Sequence, residues 1–176
     1  MIIWITGISG SGKTTLTQGI YKKYKSRVKN LVCVDGDVIR DLYDNDLGYD
    51  EKSRVKQIKR IQKLCLYLES QGLIVLVAAL YSNSNLMSWN KKNFKNYYEV
   101  YLKASINLVK KRDPKNLYKK FKIGEEKNIV GLDIEWEEPK EYDLLINMEK
   151  EISSSETVKK LINKLKLFSK EFSYET

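Results

Sequence analysis

Eight residues near the start of the chain, Gly7-Ile8-Ser9-Gly10-Ser11-Gly12-Lys13-Thr14, carry the G-x-x-x-x-G-K-[ST] spacing of a phosphate-binding loop. In such a loop Gly7, Gly10 and Gly12 let backbone N–H groups converge on phosphate oxygens, joined by the N–H groups of Ser9, Ser11 and Thr15. Lys13 reaches the β and γ phosphates, and the Thr14 hydroxyl is a ligand for Mg²⁺. Two carboxylates follow at Asp35-Gly36-Asp37, directly after the apolar run Leu31-Val32-Cys33-Val34. Ligands of open α/β sheets bind beyond the carboxyl ends of strands, so parallel strands would aim both carboxylates at the phosphate loop. Asp35 is expected in the Mg²⁺ shell through water, and Asp37 beside the acceptor hydroxyl; the plainer alternative for Asp37 is a helix cap. Histidine is absent, so any general base is a carboxylate, Lys, Tyr or Cys. The D-x-x-G and N-K-x-D strings of a GTPase are missing. The central apolar run ends in Ala78-Ala79-Leu80, without the acidic metal ligand of an ATPase motor. This pattern suits a small-molecule kinase whose acceptor hydroxyl lies opposite the γ phosphate.

The elements that must position these groups read as alternating strands and helices. Ile2, Ile3, Trp4 and Ile5 form a buried strand into the loop, and Leu16, Ile20 and Tyr24 lie on a helix running to about Val28. A short helical turn carries Val38, Ile39 and Leu42, followed by a polar loop over residues 44–50. Residues 51–71 show a helical stripe of Val55, Ile58, Ile61, Cys65 and Leu68, stopped by Gly72, with Arg54 and Gln57 sharing the adjacent face. Residues 73–80 form a continuous apolar run, as in the buried centre of a parallel sheet. A helix capped by Asn83 or Asn85 reaches Phe94. A strand covers residues 99–102, Ser105 caps a helix over 106–111, residues 143–148 return to a strand, and Ser155 opens a last helix with Val158, Leu161, Ile162, Leu165 and Phe168 on one face. Residues 112–139 lose periodicity and hold both prolines, Pro114 and Pro139; a loop this long is expected to be a lid. The expectation is one α/β domain over 1–176, a parallel sheet flanked by helices on both faces in the manner of P-loop nucleotide-binding proteins.

The chain resembles adenylyl-sulfate kinases through Trp4-Ile5-Thr6-Gly7 to Thr15, Asp35-Gly36-Asp37-Val38-Ile39-Arg40, Asp46-Leu47-Gly48-Tyr49, Arg54 and Arg112-Asp113-Pro114-Lys115-Asn116-Leu117-Tyr118-Lys119-Lys120. The resemblance implies an ATP- and Mg²⁺-dependent kinase that phosphorylates the ribose 3′-hydroxyl of an acceptor nucleotide, with residues 112–139 closing over both substrates. It implies that Asp37 orients or deprotonates the hydroxyl and that Arg40 and Arg54 hold the acceptor's phosphate and its anionic substituent. It also implies that Tyr49 stacks on the acceptor base, that Arg112 faces ATP, and that Lys119 or Lys120 meets the acceptor. Three departures alter the acceptor pocket. The usual S-F-I-S-P is Ala78-Ala79-Leu80-Tyr81-Ser82, a contacting Asn is Gln57, and the aromatic that completes an adenine clamp is Ile129. Tyr81, Ser82 and Gln57 are then left to discriminate acceptors. The changed pocket points to the branch of the family associated with capsular polysaccharide modification, whose acceptor is cytidine diphosphoramidate; adenylyl sulfate is the alternative.

The net charge of +9, from 32 Lys+Arg against 23 Asp+Glu, draws polyanionic small substrates. It also raises a non-catalytic nucleotide- or nucleic-acid-binding module, against which stands the lack of any recognisable motif or basic block with interleaved aromatics. Cys33 and Cys65 read as buried core thiols of a reducing compartment. No apolar run is long enough to span a bilayer, and the opening residues lack the pattern of a secretory signal. The expectation is therefore a cytoplasmic protein with no membrane partner; a homodimer is compatible with it.

Overall fold

The computed structural model describes residues 1–80, 83–150 and 153–164. Five strands, β1 (Ile2–Thr6), β2 (Leu31–Asp35), β3 (Ile74–Ala79), β4 (Tyr97–Lys103) and β5 (Leu144–Asn147), form one sheet in the order β2-β3-β1-β4-β5, with every pairing parallel. β1 and β3 are buried at every position, as uninterrupted apolar runs in a sheet covered on both faces must be. α1 (Lys13–Tyr24) and α7 (Ser154–Lys164) cover one face, over Ile3, Ile5, Leu76, Val100 and Leu102. α3 (Glu51–Ser70) and α4 (Ser84–Asn93) cover the other, over Ile2, Trp4, Val75 and Val77.

The helix ends follow local chemistry. The Asp50 carboxylate accepts from Ser53 N at 3.0 Å, Asn83 Oδ1 from Leu86 N at 2.9 Å, and Ser105 Oγ from Leu108 N at 3.1 Å; each satisfies a donor the helix leaves orphaned. Gly72 stops α3 in the left-handed region at φ +77°. The expected first helix ends at Tyr24, short of Val28. Leu165 and Phe168 of the expected last helix, like Tyr81 and Ser82, lie outside the described residues.

Two expectations need correction. Cys33 is exposed, with only Cys65 buried: β2 is an edge strand with no neighbour on one side, and Cys33 is open to solvent although Leu31, two residues earlier on the same face, is buried. Residues 112–139 also contain a helix, α6 (Leu117–Lys122), beyond α5 (Ile106–Arg112). Tyr118 and Ile129 are buried with Ile8 and Val109, flanked by Leu117, Phe121, Leu132 and Trp136. This third apolar cluster seats the segment on the phosphate loop through Ile8. Among the described residues no helix is long and apolar enough to cross a membrane.

Register sets where the site forms. Thr6 pairs with Ala79 and Asp35 with Ala78, so β1 and β2 end on the same sheet edge with the small end of β3 between them. At that edge Gly7 has φ +153°, and a Cβ there would lie 2.6 Å from Leu102 O and 2.7 Å from Ser11 Oγ. Gly7→Ala is expected to lose about 1–3 kcal/mol of stability from this overpacking, read as a lowered denaturant midpoint at unchanged slope; an unchanged midpoint would mean the strand-to-loop junction is slack.

Candidate active site

The phosphate loop is built from backbone that only glycine adopts readily: Gly10 has φ +78° and Gly12 φ +103°, and α1 begins at the next residue. The positive end of α1 therefore faces the concave side of the loop. Lys13 folds back over it, Nζ donating to Gly7 O at 2.8 Å and Ile8 O at 2.9 Å. Loss of water around the ammonium lowers its pKa to about 8, against the upward pull of Asp37 and Asp35, while Lys115 adds to the lowering.

Thr14 Oγ1 donates to Asp35 Oδ2 at 2.6 Å, and Asp35 Oδ1 accepts from Asp37 N at 2.9 Å. Asp35 thereby ties the phosphate loop to α2 (Gly36–Leu42) as its N-cap. The cap is Asp35, not Asp37, and this leaves the Asp37 carboxylate to face the cavity, where it pairs with Lys115 Nζ. Thr14 and Asp35 offer adjacent hard oxygens and fit Mg²⁺, which keeps most of its shell as phosphate and water oxygens. Among the described residues no group of three or more His, Cys, Asp or Glu could hold a metal ion without such help.

These groups line one cavity of about 800 Å³, together with Thr15, Arg40, Arg54, Gln57, Ala79, Arg112 and Pro114. Arg40, 6% exposed, donates to Leu47 O at 2.8 Å and Gly48 O at 3.1 Å. Arg54 donates from Nε to Tyr49 O at 2.7 Å and from NH2 to Asn128 O at 2.7 Å. Both guanidiniums lie over the Tyr49 ring, at 4.5 and 5.5 Å from its centroid. Two cations thus brace the loop over residues 47–49 while presenting charge to the cavity.

The adenylylsulphate kinase profile matches residues 1–147. The chain belongs to the adenylylsulphate kinase family. It is 39% identical over 166 residues to a cytidine diphosphoramidate kinase of Campylobacter jejuni, covering 94% of this chain and 96% of that protein. It is 35% identical over 167 residues to an adenylyl-sulfate kinase of Staphylococcus carnosus, covering 94% and 83%. Among solved structures, the Mycobacterium tuberculosis APS kinase in complex with AMPPNP and APS superposes with a TM-score of 0.85 at 27% identity, covering 94% of this chain and 96% of that one.

The kinase brings most of its sequence-expected site together. Ser9, Gly10, Gly12, Lys13, Thr14, Thr15, Asp35, Asp37, Arg40, Arg54, Gln57 and Arg112 share the cavity, while Gly7 and Ser11 are buried and do not line it. Arg112 also reaches Met148 O at 3.4 Å. Tyr49 stands outside the lining at 48% exposure, its ring under the two arginines. Lys119 and Lys120 point elsewhere from α6; the lysine that enters is Lys115, after Pro114. Lys115 belongs to the same Arg112-to-Lys120 string that carries the family resemblance. The α6 start is pinned instead by Asp113, whose carboxylate accepts from Tyr118 N and Lys119 N, and Tyr118 Oη donates to Ser9 O at 2.9 Å. Ile129 is buried in the third cluster, away from the cavity lining.

The lowered Lys13 pKa has a measurable consequence. Below about pH 8 the ammonium is charged and ready for phosphate; above it, binding must first recruit a proton. The ATP dissociation constant is expected to rise about tenfold from pH 7 to pH 9, as one titrating group requires, and Lys13→Met should flatten that rise. Isothermal titration across this range checks it, and a flat profile in the parent enzyme would separate Lys13 from the phosphates.

Proposed function

We propose that this enzyme transfers the γ phosphate of ATP to the ribose 3′-hydroxyl of a nucleotide, with cytidine diphosphoramidate as the leading acceptor. The observation that carries the proposal is that one cavity joins a phosphate loop to an unburied carboxylate, Asp37, and to Arg40 and Arg54. The loop N–H groups and Lys13 hold the triphosphate. Asp37 accepts the proton of the attacking hydroxyl, a task for a carboxylate in a chain without histidine. Arg40 and Arg54 bind the anionic tail by charge-assisted hydrogen bonds. Mg²⁺ bound at Thr14 and Asp35 supplies charge neutralisation on the phosphates. Lys115 exchanges its contact with Asp37 for the incoming anions, and residues 112–139 act as a lid that excludes water.

Cytidine diphosphoramidate is favoured by the 39% identical Campylobacter jejuni relative and by the apolar pocket wall. Ala79 ends β3 with a methyl group, and Ile129 is withdrawn into the core. Base-to-aromatic stacking is worth about 1–3 kcal/mol, and adenine, with the larger ring system, loses more from its absence than cytosine. The acceptor places the enzyme in capsular phosphoramidate synthesis, in the cytoplasm. Adenylyl sulfate is the second reading, favoured by the family profile and by tail-binding arginines that distinguish sulfate from phosphoramidate poorly.

Asp37→Asn should lower kcat about 10²-fold or more, the usual loss when a group serving the transition state is removed, with ATP binding nearly unchanged; a silent Asp37→Asn beside a crippling Asp35→Asn would move the base to Asp35. For the acceptor, kcat/KM measured side by side should favour cytidine diphosphoramidate. A tenfold preference for adenylyl sulfate, about 1.4 kcal/mol, would instead make the enzyme an adenylyl-sulfate kinase.

A further inference from the structure

The peptide unit joining Gly36 to Asp37 is held by side chains at both of its polar groups. Its N–H donates to Asp35 Oδ1 at 2.9 Å, and its carbonyl, Gly36 O, accepts from Gln57 Nε2 at 3.2 Å. The orientation of this one plane sets the direction in which the Asp37 side chain leaves the backbone. Gln57 is 4% exposed, so both ends of its amide need partners. The other end is met by Arg60, whose NH1 donates to Gln57 Oε1 at 3.2 Å.

Arg60 is itself fixed from two further directions. Its NH1 and NH2 grip Asp46 Oδ1 and Oδ2 at 2.9 and 2.7 Å, and its guanidinium lies over the Tyr43 ring at 3.9 Å. The fork geometry suits a bidentate carboxylate, and the remaining N–H direction selects which end of the Gln57 amide faces it. A guanidinium only donates, so it holds Oε1 outward and Nε2 toward Gly36 O. A flipped amide would set two carbonyl-type oxygens against each other at Gly36 and two donors against each other at Arg60.

We infer that Arg60 is a positioning residue which, through Gln57, fixes the peptide that aims Asp37, and that Gln57 serves the rate of transfer and not the binding of acceptor. This departs from the acceptor contact that the resemblance implies for position 57. The side chain there is one methylene longer than asparagine, and its amide bonds to protein at both ends. The inference rests on the proposed role of Asp37, and its test separates the two.

Hydrogen exchange of the Asp37 amide, followed in the protein without any nucleotide, reads the brace alone. Gln57→Met and Arg60→Met keep much of the side-chain volume, and circular dichroism confirms that each folds. Both should speed exchange at Asp37, and Arg60→Lys, which restores a donor, should recover part of the protection. In the kinase assay both Met variants should lower kcat on the order of tenfold, the scale of a misaimed group, with acceptor KM within about twofold of the parent. The double variant should be no worse than the more damaging single one, as for residues acting in series. Unchanged exchange in both variants overturns the brace. So does a raised acceptor KM at constant kcat in Gln57→Met while Arg60→Met is silent. Faster exchange in variants of a parent that phosphorylates no nucleotide would uphold the brace and refute the proposed function.

Discussion

The Thr14 hydroxyl bonded to the Asp35 carboxylate, 2.6 Å across the sheet edge, is the contact on which the site depends. It exists because β1 and β2 are parallel and both end beside β3, whose last residues, Ala78 and Ala79, leave room between them. Asp35 then performs two tasks with two oxygens, closing onto the phosphate loop and capping α2. A longer side chain would overreach the cap, and an amide would put a donor where one of these acceptors stands. The carboxylate two residues on, in the first turn of α2, is thereby released from structural duty.

Charge and segment 112–139 complete the arrangement. Lys13, Arg40, Arg54, Arg112 and Lys115 line the cavity against Asp35 and Asp37. The excess of cations draws phosphorylated ligands. Holding the cations in place has a cost in solvation, visible in the lowered Lys13 pKa. The arginines meet that cost with backbone carbonyls of the 47–49 loop and of Asn128. The segment lies on the loop by two kinds of contact: apolar burial of Tyr118 and Ile129 against Ile8, and the Tyr118 hydroxyl on Ser9 O. Near its start Lys115 reaches Asp37, so the seated segment holds a cation at the proposed base.

Sequence reading succeeded where the determinants are local. The phosphate loop is written in consecutive residues whose backbone geometry is nearly obligatory, and strand ends in a parallel sheet share an edge, so Asp35 and Asp37 could be aimed before any coordinates. It failed where side chains depend on neighbours distant in the chain. The exposure of Cys33 follows from β2 lying at the sheet edge, and strand order is not encoded in strand periodicity. α6 was hidden because Leu117, Tyr118 and Phe121 are few among lysines, and the helix leans on Ile8, more than a hundred residues earlier. That Lys115 lines the cavity while Lys119 and Lys120 do not is likewise visible only with the segment seated. That Arg40 and Arg54 both lie over the Tyr49 ring also emerges only in the fold.

The central claim is that the cavity moves a phosphoryl group from ATP to a ribose hydroxyl, and ³¹P nuclear magnetic resonance of the reaction mixture tests it most directly. With Mg-ATP and cytidine diphosphoramidate, the account predicts ADP together with a new phosphomonoester signal coupled to the ribose H3′, in equal amounts. ATP consumed with release of inorganic phosphate alone, or a phosphate coupled to another position, would contradict it.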